Sequence, residues 1–148
     1  MEAAGVKVGI GTDGAASNNN LDVIEEARLA ALIHKVNQFD PKVIDAQQAL
    51  AMATRGSAEA VGLGGLVGTL EPGKRADVAV VDLSAPHLAP GHNLVSDLVY
   101  AAQAADVRDT VVEGRVVMRD REFTELDEAR IVARATELGK RLVGRAPS

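Results

Sequence analysis

Asp13 is the residue best placed for chemistry, in the run Gly11-Thr12-Asp13-Gly14. Just upstream, Val6, Val8 and Ile10 alternate with Lys7 and Gly9, the period of a strand with one buried face. A carboxylate past the carboxyl end of a buried strand, in a loop leading to a helix, stands where α/β barrels place their chemistry. Ser17, Asn18, Asn19 and Asn20 follow in the same loop, where a hydroxyl and amides could line the mouth of a site and contact a substrate. Both sets also have ordinary structural uses: Asp caps turns after strands, and Asn is a common turn and capping residue.

Two elements must position these groups. The strand over residues 6–10 delivers Asp13, and Gly9, Gly11 and Gly14 let the backbone turn sharply or approach another group closely. The polar loop then supplies an N-cap for a helix beginning near Leu21. Leu29, Leu32, Ile33 and Val36 fall at i, i+3, i+4 and i+7 on that helix and make an apolar stripe. Asp22, Glu25 and Glu26 precede Arg28, His34 and Lys35, the order that suits the helix dipole.

Further along, Asp40-Pro41 reads as a cap followed by proline, and Asp45 with Gln48 as a capping pair for a helix with a narrow face of Ala46, Ala49, Leu50 and Ala53. Gly56 is expected to end that helix and Ser57 to cap another short one. Strands are expected over residues 66–70, 77–83, 107–112 and 115–118. Glu71-Pro72-Gly73-Lys74 suits a type II turn, and Glu113-Gly114 a tight hairpin. Between the strand pairs lies a loop carrying His87 and His92, then a helical stretch over residues 94–105. Ile131, Ala135, Leu138 and Leu142 define a final helix within residues 126–145.

Two motifs carry a family resemblance. The run Gly11-Thr12-Asp13-Gly14-Ala15-Ala16-Ser17-Asn18-Asn19-Asn20-Leu21-Asp22, continued by Glu25-Glu26-Ala27-Arg28-Leu29-Ala30, resembles the eighth strand and helix of the metal-dependent amidohydrolase superfamily. The nearest branch holds the deaminases of methylthioadenosine or S-adenosylhomocysteine and related chlorohydrolases. Gly68-Thr69-Leu70-Glu71-Pro72-Gly73-Lys74-Arg75-Ala76-Asp77, ending in Val78-Ala79-Val80-Val81-Asp82, resembles the family's return from the barrel into a small β-sandwich. The resemblance runs over nearly all of the chain, yet over only the last third of such an enzyme.

It implies an α/β fold: the last strand and helix of a (β/α)8 barrel in residues 1–65, part of a composite β-sandwich in 66–126, and a carboxyl-terminal helix in 127–148. It also implies that Asp13 ligates a divalent metal, usually zinc, and exchanges protons with the attacking water and the substrate. Ser17, Asn18 and Asn19 would contact that substrate, a small heterocyclic amine such as a purine-like or triazine ring. The other metal ligands of the family, a His-x-His pair and further histidines, have no counterpart among His34, His87 and His92, and its general-acid glutamate has none either. A catalytic zinc normally takes three protein ligands. The isolated chain is therefore expected to bind zinc weakly and to lack hydrolytic activity. The competing reading is a non-enzymatic oligomerising or interaction module.

Composition sets outer limits. The chain has 148 residues, 47% hydrophobic and only 2% aromatic, so its core must be built from Ala, Val, Leu and Ile. A full barrel needs roughly 250 residues, more than this chain holds. Without cysteine there is neither a disulfide framework nor a thiolate metal site. A net charge of −5 with scattered basic residues disfavours nucleic acid as a partner. No apolar run approaches the roughly 20 residues that span a bilayer, and residues 1–5 resemble no signal peptide. A cytoplasmic protein that forms homo-oligomers over its exposed edges is the expectation.

Overall fold

The computed structural model describes residues 4–144; residues 1–3, read for a leader, and Arg145, at the end of the expected final helix, lie outside them. Three helices pack on one another. Helix α2 (Val23–Gln38) starts after Asp22, whose carboxylate accepts from the N–H groups of Ile24 at 2.9 Å and Glu25 at 3.1 Å. The cap is thus Asp22 and not the Ser/Asn loop, because Leu21 sits at φ 56°, outside helical backbone. Phe39, at φ 50°, closes the helix in the left-handed conformation.

The face α2 buries is not its large-residue stripe. Ala27 and Ala31 are buried, whereas Leu29, Leu32, Ile33 and Val36 stay exposed. Alanines let two other helices come close: α3 (Ala46–Ala51) brings Ala49, and α5 (Leu94–Tyr100) brings Val99. Ala31, Ala49 and Val99 form the core, with Ile44, Ala46, Leu50 and Tyr100 packed around it. Two cations tie these elements together. Arg28 Nε donates to Val99 O at 3.2 Å and its Nη2 to Ala102 O, satisfying carbonyls at the carboxyl end of α5. Lys35 Nζ donates to Ile44 O at 2.6 Å, Val43 O at 3.1 Å and Tyr100 Oη at 3.1 Å.

At α3 the capping pair forms as expected, Asp45 Oδ1 accepting from Gln48 N–H at 2.8 Å and Gln48 Oε1 from Asp45 N–H at 3.0 Å. Gly56 does not end the helix. The chain runs on through a π turn (Met52–Gly56) into α4 (Ser57–Ala60), and Ser57 donates its backbone N–H to Met52 O instead of capping a new start. Glycine is needed at 56 for proximity, since a Cβ there would lie 2.8 Å from Val8 O. The expected Asp40-Pro41 helix start is likewise a turn, with Asp40 Oδ1 accepting from Lys42 N–H at 2.9 Å.

Apart from these helices, the chain forms a four-stranded antiparallel meander in the order β1-β2-β3-β4. It comprises β1 (Val78–Val81), β2 (Val107–Val112), β3 (Arg115–Arg119) and β4 (Glu122–Phe123). Glu113 at φ 50° and Gly114 at φ 78° give the β2–β3 hairpin the two left-handed residues of a type I′ turn. The turn at 71–74 also forms, with Gly73 at φ 93° and Lys74 N–H donating to Glu71 O at 3.2 Å. Residues 66–70, expected as a strand, are turns: Leu66 N–H donates to Leu63 O at 2.8 Å, and Gly68 at φ 95° cannot extend a strand.

Residues 6–10 are likewise outside the sheet. Among the described residues no strand lies beside them, so their backbone finds a side chain instead. Strand β4 went unforeseen because two residues carry no periodicity; it follows from Asp120 and Arg121, both left-handed at φ 49° and 67°. The stretch 94–105 splits into α5 and a 3₁₀ turn at Ala104–Asp106. Helix α6 (Glu128–Val143) is capped by Asp127 and has no buried residue. No described helix is long and apolar enough to cross a membrane.

Candidate functional site

Asp13 closes an extended approach. Over residues 6–12 the backbone runs without a ladder, steadied by Lys7 Nζ on Glu59 Oε2 at 2.5 Å and by Ile10, whose N–H donates to Ser57 Oγ at 2.9 Å. Asp13 then takes φ 58°, a left-handed conformation that Asp tolerates better than most side chains. From there the chain does not stay a loop but winds one turn, α1 (Ala15–Asn18), with the N–H groups of Ser17 and Asn18 each 3.0 Å from Gly14 O. That turn carries Ser17 back over Asp13, and the one proton of Ser17 Oγ lies between Asp13 Oδ2 and Gly14 O, each at 3.0 Å. Both residues are exposed.

The asparagines serve a different end. Asn18 Oδ1 accepts from Leu21 N–H at 2.7 Å while its Nδ2 donates to Glu26 Oε1 at 2.6 Å. Asn20 accepts from Asp22 N–H at 3.2 Å and donates to Glu25. These two amides tie the loop to the first turn of α2. Asn19 sits exposed at φ 71°, its N–H donating to Ala15 O at 3.1 Å. The structure therefore brings Asp13 and Ser17 into contact and commits the Asn18 amide to Leu21 of the loop at one end and to Glu26 of α2 at the other.

The histidines lie apart. His34 is half-buried in α2 and His92 is exposed. His87 Nε2 lies 2.9 Å from Asp106 Oδ2. Burial pushes the Asp106 carboxyl up, but hydrogen bonds from His87 and from Gln103 N–H, with the charges of His87 and Arg121, outweigh it and hold the carboxyl below its usual range. Among the described residues no three His, Cys, Asp or Glu side chains gather to hold a metal. Asp13 offers one anionic ligand, and three protein ligands are the norm for catalytic zinc. The residues present thus fit one member of a metal site and do not make the site themselves.

A cleft of about 700 Å³ flanks the extended segment and is lined by Val6, Lys7, Val8, Leu50, Arg55 and Thr69 among others. None of Asp13, Ser17, Asn18 or Asn19 lines it. The cleft and the Asp13–Ser17 pair are therefore built from different residues. Sequence reading missed the clamp on Ile10 by Ser57, which took the appearance of a helix cap. Gly9 and Gly56 were its trace, two glycines whose closeness in space their spacing does not reveal.

The model of the amidohydrolase family matches residues 1–117, and the chain belongs to that family. A 5-methylthioadenosine/S-adenosylhomocysteine deaminase of Pelotomaculum thermopropionicum is 53% identical over 96% of this chain and 33% of its own length. Among solved structures, an adenosine deaminase from Xanthomonas campestris with bound zinc superposes with a TM-score of 0.93 at 40% identity, over 97% of this chain and 33% of that one. An atrazine chlorohydrolase from Arthrobacter aurescens, complexed with zinc, follows at TM-score 0.82 and 35% identity, over 93% and 30%. The chain spans about a third of the length of these relatives.

Proposed function

We propose that this chain forms the carboxyl-terminal third of a zinc-dependent aminohydrolase that replaces the exocyclic amino group of an adenosine-like ring with hydroxyl. The observation that carries the reading is the Asp13–Ser17 pair at the end of the extended segment, in a chain similar to zinc-bearing deaminases. Ser17 lies against Oδ2, and among the described residues Oδ1 accepts no hydrogen bond, so the carboxylate keeps lone pairs for a metal or for a proton. A bound metal supplies a water whose pKa is drawn towards neutrality. Asp13 would be one ligand of such a metal and would accept a proton from its water, and Asn19, exposed at the end of the same turn, would contact the substrate. The remaining ligands come from outside this chain.

In this reading residues 1–65 complete a (β/α)8 barrel, residues 66–126 contribute to a composite β-sandwich, and residues 127–148 add the terminal helix. The substrate is a small heterocyclic amine, the working compartment the cytoplasm. Higher identity to the deaminases than to the chlorohydrolase favours an amino leaving group over a halide. To test it, the chain is joined behind the amino-terminal two thirds of the Pelotomaculum thermopropionicum relative and ammonia release from methylthioadenosine is followed with zinc present. Asp13→Asn should lower turnover by more than the 10- to 100-fold typical of losing an outer partner. Turnover unchanged by Asp13→Asn overturns the assignment.

A further inference from the structure

Ser57 stands at the join of the π turn and α4, where a serine would be expected to cap, yet its hydroxyl reaches across to the extended segment. Ser57 Oγ accepts from Ile10 N–H at 2.9 Å, and its one proton lies between Ile10 O at 3.0 Å and Met52 O at 2.8 Å. One side chain thereby occupies both backbone groups of Ile10, as a residue of a neighbouring strand would.

The surrounding backbone is packed to match. A Cβ on Gly9 would lie 2.6 Å from Ser57 Cα, and one on Gly56 2.8 Å from Val8 O. On the far side of the same helix, a Cβ on Gly68 would lie 2.7 Å from Ala58 Cβ and 3.0 Å from Arg55 Cα. The helix from Arg55 to Ala58 is gripped from two sides at distances that glycine alone permits. Beyond Ile10 the support ends: Gly11 and Gly14 have open space where a side chain would project. Among the described residues, the Ile10–Ser57 contact is the last long-range hydrogen bond before Asp13.

We propose that Ser57 is a positioning residue for Asp13, its hydroxyl fixing the backbone at Ile10 and so fixing where the Asp13 carboxylate emerges. The π turn is the device that presents it. An extra residue in the turn lets the Ser57 N–H and Oγ both meet Met52 O while the hydroxyl still faces Ile10, and π turns often mark functional sites. The role rests on the reading of Asp13 as the reacting carboxylate. A displacement of about 1 Å at such a group costs on the order of a hundredfold in rate.

The test uses the same full-length fusion, with Ser57→Ala, Ser57→Thr and Asp13→Asn compared. Ser57→Ala should lower kcat by about ten- to a hundredfold with KM within about twofold, and Ser57→Thr, which keeps the hydroxyl, should recover most of the loss. Amide hydrogen exchange should show the Ile10 N–H deprotected in Ser57→Ala while the amides of α3 and α5 keep their protection. Normal kcat in Ser57→Ala beside a dead Asp13→Asn overturns the positioning role and leaves Asp13 standing. Normal turnover in Asp13→Asn removes the Asp13 reading, and the Ser57 role with it. Loss of protection throughout α3 and α5 in Ser57→Ala assigns Ser57 to folding and likewise overturns the proposal.

Discussion

His87 Nε2 and Asp106 Oδ2, 2.9 Å apart, join the 3₁₀ turn that precedes α5 to the one that leads into β2. Asp106 is the one charged residue buried among those described, and Oδ2 also accepts from Gln103 N–H at 2.8 Å. A single carboxylate oxygen therefore holds both ends of the connection from β1 to β2.

That arrangement predicts an acid-sensitive step. The Asp106 carboxyl is held below its usual range in the folded chain, so its contribution is fully present above the unfolded value of about 3.9 and is lost as pH falls through the lower folded value. Denaturation followed from pH 6 down to pH 2 should show this loss. Asp106→Ala should remove it and cost about 1–3 kcal/mol at neutral pH, because Gln103 N–H loses its acceptor. An unchanged acid limb in Asp106→Ala would show that other carboxylates govern it.

Lys35 supports a second prediction. Its ammonium gathers the carbonyls of Val43 and Ile44 and the Tyr100 hydroxyl, and it lies 5.6 Å from the centre of the Tyr100 ring. Lys35→Met keeps the apolar stem but strands these acceptors, at a cost of about 1–3 kcal/mol. Lys35→Arg should restore little, since a planar fork does not reproduce three donors on one nitrogen. Urea midpoints of the three proteins measure this, and a Met variant as stable as the parent would refute it.

How much of this could be read from the sequence depends on how local the cause is. The Asp45–Gln48 capping pair, the Glu113-Gly114 turn and the β2–β3 hairpin rest on neighbouring residues, and they formed as read. Residues 66–70 misled because a short run of Leu, Val and Thr suits a strand by composition, while Gly68 at φ 95° turns the chain instead. The packing face of α2 was misjudged for a related reason: periodicity ranks large residues first, while close approach to α3 and α5 selected Ala27 and Ala31. At the site, the motif pointed to Asp13 as the candidate. Its partner Ser17 was legible as a polar neighbour, but the turn that brings the two together was not. The clamp by Ser57 joins residues 47 positions apart, beyond the reach of any local pattern.

Two glycines near that clamp should behave oppositely. Gly9→Ala drives a Cβ to 2.6 Å from Ser57 Cα, a backbone atom that cannot swing aside, and such overpacking costs about 1–3 kcal/mol. Gly11→Ala meets nothing within 4 Å and should stay within about 0.5 kcal/mol of the parent. Thermal denaturation of both variants compares them directly. Equal midpoints would mean that the crossing of the extended segment over α4 is looser than its geometry states.

The last prediction concerns association. Leu29, Leu32, Ile33 and Val36 are 45%, 46%, 52% and 72% exposed along one side of α2, and Phe39 just past its end is 93% exposed. Burying such a side chain fully is worth about 1.5–3 kcal/mol, while a whole domain is stable by only about 5–15 kcal/mol. Contiguous apolar surface of this kind marks an interface. In the proposed whole enzyme other elements of the same polypeptide would cover it; for the chain alone, a second copy is the simplest cover, through a twofold contact of α2 against α2. Light scattering at rising concentration should show a dimer or larger species, and Leu32→Lys with Ile33→Lys should shift it to monomer without loss of helix signal. A monodisperse monomer for the unmodified chain at high micromolar concentration would defeat the prediction and leave this face without a role in self-association.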